Sequence, residues 1–240
     1  MKIGIIVALS VEHEQLAKLL ENKTERRESP FKYIEGTIGG NQVVLTQCGI
    51  GKVNAAIGTV ELIRRYQPDC ILNTGVAGSI DESVRVMDVV VGQQVIYHDV
   101  DCGPGNGFGQ VQGCPQFFHS EPALCKAAFR PGYVEDGRMW VGVITSGDQF
   151  IQHQEQVEHI KRNVHEGIAV DMESGAVAQV CHIYKVPFVS IRIISDAPGD
   201  DKQRFEQYTD FWGELANRSF QVTRKILEQL PSNLSPKNNE

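Results

Sequence analysis

The sequence predicts an α/β chain built on a central, mostly parallel mixed sheet with helices on its flanks. Three observations predict it. Short apolar runs alternate with stretches of helical periodicity along the chain. Most of these runs are joined by helix-length connections, which parallel strands require. One pair, Tyr33–Ile38 and Val43–Gln47, flanks Gly39-Gly40-Asn41, whose turn chemistry reads as a hairpin and adds antiparallel pairing.

In chain order, Ile3–Leu9 reads as a strand and Val11–Leu20 as a helix, followed by the hairpin. Lys52–Tyr66 has helical periodicity and Cys70–Thr74 is a β-branched and apolar run. Val89–Val91 and Gln94–His98 are strands, the second a candidate continuation of the first. Glu121–Phe129 is a helix, Met139–Thr145 a strand, Glu155–Asn163 a helix, Ile168–Val170 a short strand and Glu173–Tyr184 a helix. Phe188–Ile194 is the last strand. Phe205–Leu230 reads as one long helix, with Tyr208, Phe211, Trp212, Leu215, Val222, Ile226 and Leu230 near a 3.6 period. Asp99–Phe118, rich in Gly and Pro, reads as a long flexible loop. No break in composition divides the chain, so residues 1–230 are expected to form one domain, with a polar tail at 231–240.

The 240 residues carry 23 basic and 30 acidic side chains, a net charge of −7. That balance argues against a broad basic surface for nucleic acid and against a polybasic membrane patch. No apolar run reaches the roughly 20 residues of a membrane span. Met1–Leu9 is apolar but short and runs into Glu12 and Glu14, so it reads as a buried strand and not as a secretory signal. The six cysteines show neither CxxC nor zinc-ligand spacing, and are expected to be reduced and packed as small apolar side chains in a cytoplasmic protein.

In open α/β sheets, ligands bind beyond the carboxyl ends of the strands, so polar residues turned inward there are the candidates. Glu12 falls on the helical face of Leu16, Leu19 and Leu20, whereas Glu14 and Lys18 form an i,i+4 pair on the opposite face. A first-turn acid favoured by the helix dipole is the competing explanation for Glu12. Gly75, within Asn73-Thr74-Gly75-Val76-Ala77-Gly78-Ser79, ends a strand where small residues let backbone N–H groups approach a ligand, though a plain strand-to-loop turn would look the same. Glu173 shares a helical face with Val177, Val180 and Tyr184, while Asp171 suits a helix cap. A period of two puts Arg192, Ile194 and Asp196 on one side of the last strand. An arginine in so apolar a strand needs a partner, and a purely structural ion pair would supply one. Three inward acids and one arginine can separate their proton affinities, one holding a proton while another stays charged. That suits cleavage of a glycosidic-type bond, in which one group protonates the leaving group and another activates water.

Two motif lookalikes fail. Cys48-Gly49-Ile50-Gly51-Lys52-Val53 lacks the spacing and the following hydroxyl residue of a phosphate-cradling loop. The glycines of 103–109 do not join a strand to a helix. His98 with Asp99 and Asp101 hints at a metal, but neighbouring residues on a strand point to opposite faces.

The same residues carry a family resemblance. Met1–Ile6 followed by Glu12, Gly49-Ile50-Gly51-Lys52-Val53, Asn73-Thr74-Gly75-x-Ala77-Gly78, Tyr97-His98-Asp99-x-Asp101, Gly113-Cys114-Pro115, Ser146-Gly147-Asp148-x-Phe150-Ile151, Asp171-Met172-Glu173 and Arg192-x-Ile194-Ser195-Asp196 resemble, in this order, the bacterial 5′-methylthioadenosine/S-adenosylhomocysteine nucleosidases. The resemblance spans about residues 1–230. It implies a three-layer nucleoside-phosphorylase-like fold, a homodimer with loop 99–118 near the neighbouring subunit's site, and no cofactor or metal. The implied reaction is hydrolysis of the N-glycosidic bond of a small nucleoside, giving adenine and a 5-thioribose, with room for 5′-deoxyadenosine as a further substrate. By position, Asp196 would protonate adenine N7 and Glu12 would activate the water. Glu173 would bind the ribose hydroxyls with Arg192 nearby, Phe150 would stack on adenine and the Ile151 backbone would read its edge. Ser195 would place Asp196 and Met172 would pack on the ribose, with Gly78, Val76 and Ile50 completing the substrate-binding set.

Three positions depart from the family pattern. Val76 stands where the family usually has Ser, Asp171 where it has Glu, and the loop after Asp101 has Phe108 as its one aromatic. Other functions stay open at this level: a nucleosidase for a 6-amino purine nucleoside with a bulkier 5′ group, of aminodeoxyfutalosine type, a phosphorolytic nucleoside phosphorylase, or a non-catalytic binding protein. The phosphorylase would need basic donors for phosphate, and around Glu12 the chain offers Ser10, Glu12 and Glu14 but no arginine.

Overall fold

The computed structural model describes residues 1–28, 30–133, 137–197, 203–212 and 216–234. Its strands are β1 (Lys2–Val7), β2 (Glu21–Glu28), β3 (Phe31–Ile38), β4 (Asn41–Gln47), β5 (Cys70–Ser79), β6 (Val89–Tyr97), β7 (Phe118–His119), β8 (Met139–Ser146), β9 (Gly167–Asp171) and β10 (Phe188–Asp196). The helices are α1 (Ser10–Leu19), α2 (Lys52–Tyr66), α3 (Pro122–Ala128), α4 (Gln154–Asn163), α5 (Ser174–Tyr184), α6 (Arg204–Asp210) and α7 (Ala216–Glu228).

The strands form one mixed sheet in the order β10-β6-β8-β9-β5-β1-β4-β3-β2, with β7 on β6. Parallel ladders join β1 to β4 and β5, β5 to β10, and β6 through β8 to β9. Antiparallel pairs link β2 to β3, β3 to β4, β5 to β9, β6 to β10 and β6 to β7. Because β10 pairs with both β5 and β6, strands β5, β10, β6, β8 and β9 close into a ring. Parallel pairing is therefore less dominant than the helix-length connections suggested, and part of the sheet curls into a barrel.

Alternation along the strands builds two cores. Ile3, Ile5 and Val7 of β1, with Val89 and Val91 of β6, pack with Leu16 of α1, Leu124 of α3 and Ile226 of α7. Ile6 and Val90 point the other way, toward Leu62 of α2 and Val177 of α5. These faces are the outer boundaries of a three-layer architecture.

Several elements differ from the sequence expectation. β2 is entirely new: its residues, Glu-Asn-Lys-Thr-Glu-Arg-Arg-Glu, are almost all exposed. Arg26–Glu35 at 2.8 Å and Lys32–Glu25 at 2.9 Å cross from it to β3, and a charged edge strand resists pairing with other chains. The two-residue strand β7 is also new. β5 runs on to Ser79, five residues past Thr74. The second of the two runs continues the first, as the sequence allowed: they are the one strand β6, which ends at Tyr97 and has a register shift between Gly92 and Gln94.

The single helix expected over 205–230 is two, α6 and α7, with 213–215 outside the described residues. α6 faces the sheet end near Asp196, while α7 buries Phe220, Val222, Ile226 and Leu227 in the core, and one straight helix cannot serve both. Of the expected tail, 235–240 lie outside the described residues. The segment expected to be a flexible loop is irregular but closed on itself. Gly109 N bonds Val100 O, Gln110 Nε2 donates to Cys114 O and Gln116 Nε2 donates to Phe108 O. Lys18 turns to Gln15 Oε1 in place of the expected pairing with Glu14.

Candidate active site

The carboxyl ends of β5, β9 and β10, with α1, α6 and the segments after β4 and β8, surround a cavity of about 380 Å³. This is the size class of small-molecule sites. All eleven residues singled out from the sequence line it: Glu12, Ile50, Val76, Gly78, Phe150, Ile151, Met172, Glu173, Arg192, Ser195 and Asp196.

Glu12 is buried on α1 and serves two ends. Its Oε2 accepts from Ala8 N (3.2 Å) and Leu9 N (3.0 Å), and its Oε1 accepts from Val76 N (3.3 Å). It therefore caps its own helix, as the dipole argument allowed, and also faces the cavity. A Cβ at Gly75 would come within 2.7 Å of Glu12 Oε1, so the residue there has to be glycine for the acid to lie against β5. Burial raises the Glu12 pKa, against the N–H groups of Leu9, Val76 and Ala8 and the Arg192 charge.

Glu173 is buried as well, but it does not lie on the helical face expected of it. It precedes α5 in the N-cap position, with a backbone that is not yet helical. Gly51 N donates to its Oε1 at 2.9 Å, and Lys52 N donates to Asp148 Oδ1 at 2.7 Å. The amino end of α2 is thus turned onto two carboxylates. Burial first, and then the neighbouring Asp171, push the Glu173 carboxyl up to about 7.

Arg192 has Asp171 as its partner, the structural ion pair that an arginine in so apolar a strand requires. Its Nε donates to Asp171 Oδ2 at 2.6 Å, Nη1 to Ile191 O, and Nη2 to Asn73 Oδ1 and to Ser174 Oγ at 2.9 Å. Asp171 keeps part of the capping role expected of it, since its Oδ1 accepts from Ser174 N at 3.2 Å.

Strict alternation along β10 also fails. The register with β5 shifts between Ile194 and Asp196, so Ser195 and Asp196 both reach the cavity. Ser195 Oγ donates to Asp196 Oδ1 at 2.8 Å, and Arg204 Nε donates to Asp196 Oδ2 at 2.8 Å.

Arg204, Phe205 and Tyr208, all on α6, were not found by sequence reasoning. Phe205 and Tyr208 roof the cavity and meet Phe150 edge-on at 6.0 and 5.5 Å. The signal was present in Arg204, a cation in the first turn of a helix, where the dipole disfavours it and a tertiary partner is needed.

Asp99 accepts from Lys52 Nζ at 2.9 Å and from Asp148 N at 2.8 Å, so its carboxylate is already used, and no acidic–histidine–cysteine group suited to a metal occurs among the described residues. Phe108 sits beside His159, away from the cavity lining.

The arrangement can do acid–base chemistry on a bound molecule. Two buried carboxyls with raised pKa values and a third clamped at a strand end ring an aromatic-roofed pocket, whose flat face at Phe150 suits a planar ring.

The family model described as the phosphorylase superfamily matches residues 2–228. The 5′-methylthioadenosine/S-adenosylhomocysteine nucleosidase of Desulfotalea psychrophila is 40% identical over 231 residues, covering 96% of this chain and 98% of that protein. The nucleosidase of the same name from Staphylococcus aureus is 39% identical over 230 residues, covering 95% and 100%. The solved structure of the Streptococcus pneumoniae nucleosidase with the transition-state inhibitor MT-ImmA superposes with a TM-score of 0.88 at 34% identity, covering 96% of this chain and all of that one. The Colwellia psychrerythraea nucleosidase in complex with adenine gives 0.88 at 35% identity, covering 98% and 97%.

Proposed function

The chain belongs to the phosphorylase superfamily, and from that premise we propose the reaction and the residue roles that follow. It is a purine nucleoside N-ribosyl hydrolase, which cleaves 5′-methylthioadenosine and S-adenosylhomocysteine to adenine and the 5-thioribose product. Asp196 gives a proton to adenine N7 as the C1′–N9 bond breaks. Glu12 takes a proton from the water that attacks C1′, and Glu173 holds the ribose hydroxyls. Phe150, Phe205 and Tyr208 enclose the base, Ile151 offers it its backbone, and Met172 lies against the sugar. Positive charge developing on the ribosyl ring is stabilised by the carboxylates around it.

One observation favours water over phosphate as the nucleophile. The backbone N–H groups of Ala8, Leu9 and Val76, a nest suited to an anion, are already taken by the Glu12 carboxylate. Arg192, the cation among the described cavity-lining residues, is spent on Asp171, Asn73 and Ser174. A phosphate would meet acid where it needs donors.

A homodimer belongs to the same reading. Ile50 lines the cavity and is half exposed, and Val53 and Ile57 of α2 with Ile183 and Tyr184 of α5 extend an apolar surface from it. A second subunit seated there, with its 99–118 segment over the cavity mouth, would complete the pocket for the 5′ group. Six unpaired cysteines suit a reducing cytoplasm, where the thioribose product would enter methionine salvage.

The test is adenine release from 5′-methylthioadenosine and S-adenosylhomocysteine in phosphate-free buffer, beside an aminodeoxyfutalosine-type nucleoside. Turnover of the first two without phosphate is expected. A strict need for phosphate, or turnover of the bulkier nucleoside alone, would overturn the reading.

A further inference from the structure

Arg204 occupies an unusual place. It opens α6, yet its side chain is only 7% exposed and lies against the strand end. Nε contacts Asp196 Oδ2, Nη2 donates to Ser79 O, and Nη1 is buried without a hydrogen-bond partner. The pair sits on Gly78, where a Cβ would come within 2.5 Å of Arg204 Nη2 and 2.8 Å of Asp196 Oδ2. α6 has a second, separate tie to the strand: Gln207 accepts from Ala197 N at 3.0 Å and donates to Ala197 O at 3.1 Å.

We propose that Arg204 is a displaceable partner of Asp196, a positioning residue that occupies its Oδ2 and must yield that oxygen to the purine. The proposal rests on the reading of Asp196 as the proton donor. Both Asp196 oxygens are occupied, Oδ1 by Ser195 Oγ and Oδ2 by Arg204 Nε, and the base needs one of them at its N7. The contact therefore opposes the step assigned to Asp196 and has to be exchanged when the base arrives. The geometry suits an exchange. Arg204 leads the helix that carries Phe205 and Tyr208, so a base sliding between these rings and Phe150 presses on the element that holds the arginine. The Gln207 tie keeps α6 on the strand when the Arg204 contact opens. The unmet Nη1 leaves this guanidinium less firmly held than that of Arg192, whose three nitrogens all have partners. Among the described residues, the other charged or titratable groups at the cavity are Glu12, Glu173, Asp171, Arg192 and Tyr208. Arg192 is bound to Asp171, so among the described residues that line the cavity no second cation is free to replace Arg204.

The decisive variant is Arg204→Gln, assayed by steady-state kinetics on 5′-methylthioadenosine and by calorimetric titration with adenine. Freed from competition, the base should bind about tenfold more tightly, with KM lowered to match and kcat kept within about threefold. Arg204→Lys, which restores a charge, should return KM toward the parent. An unchanged KM, or a large fall in kcat at constant KM, would overturn the proposal, because the guanidinium would then be inert or would assist the reaction in place. The unaltered protein provides a check that does not depend on a variant folding in active form. The Arg204 Nε–H resonance, assigned by its loss in Arg204→Lys, should move on saturation with adenine, and a resonance that stays put sinks the exchange. Asp196→Asn separates the two levels. If it keeps parental turnover, the acid assignment falls and takes this proposal with it. If it is inactive while Arg204→Gln leaves KM unchanged, only the counter-ion fails.

Discussion

Arg192 and Arg204 are both buried, and each faces a carboxylate at a strand end, but their surroundings differ. Every guanidinium nitrogen of Arg192 has a partner, and Asp171, Ser174 and Asn73 are bonded among themselves as well as to it. Arg204 meets one carboxylate oxygen and one carbonyl, and leaves Nη1 unmet. A saturated network has one arrangement and acts as scaffold, while an incomplete one can exchange a partner without losing the rest. In this site the scaffold pair stands beside Glu173, and the exchangeable pair stands on the group assigned to move a proton.

The largest effect that could break this comparison is on catalysis. Asp196→Asn keeps one acceptor oxygen for Arg204 and turns its NH2 to the Ser195 hydroxyl, but removes the transferable proton, so kcat on 5′-methylthioadenosine should fall about 10³-fold with an unchanged circular dichroism spectrum. A variant that retained most of its rate would make both arginine pairs structural. The next effect is on stability. Arg192→Met leaves Asp171 charged and buried, and should cost about 3–5 kcal/mol in denaturant unfolding. Arg204→Met should cost clearly less, because one donor is already unmet in the parent. Equal losses would erase the distinction between the pairs.

The smallest effect sharpens it through pH. Glu173 is raised to about 7 by burial and Asp171, and the role proposed for it beside the ribosyl cation requires its charged form. Its acid limb should therefore bring kcat/KM up as pH rises through about 7, and Glu173→Gln should remove that limb. Stability runs the other way. A carboxyl raised above its ordinary value near 4.5 contributes stability that is fully present below that value and is lost as pH rises through about 7. The parent melting temperature should fall across that window more steeply than that of Glu173→Gln, as followed by calorimetry.

How much of the molecule could be read in the sequence depends on how local the cause is. Lys52–Tyr66 is helical over those very residues because its periodicity and flanking turn residues act within one segment. The charged run of β2 carries no strand signal, and its conformation comes from the ladder that β3 offers it. Glu12 and Asp196 were legible because an acid in line with apolar neighbours at a strand end is costly unless it is used, whereas Glu173 was picked out by a helical face that its N-cap position does not have. The partners of the arginines were not. Asp171 is 21 residues from Arg192, and its backbone position looks equally like a helix cap. Arg204, Phe205 and Tyr208 fit a helix whose apolar face seemed to point to the core, and nothing local shows that α6 turns toward the cavity.

The sequence by itself determined the alternation of strands and helices, the inward acids Glu12 and Asp196, and the family resemblance that names eleven of the residues lining the cavity. The elements and the inward acids follow from side-chain periodicity and the cost of burying charge, both of which act over a few residues, while the remaining cavity residues follow from the resemblance alone. Only the tertiary structure decided the closure of the sheet through β10, the bulge that brings Ser195 and Asp196 to the same cavity, and the assignment of Asp171 to Arg192 and of Arg204 to Asp196. Which carboxylate a buried arginine meets is set by how distant elements are stacked, and a periodic pattern holds no information about the distance between one element and the next.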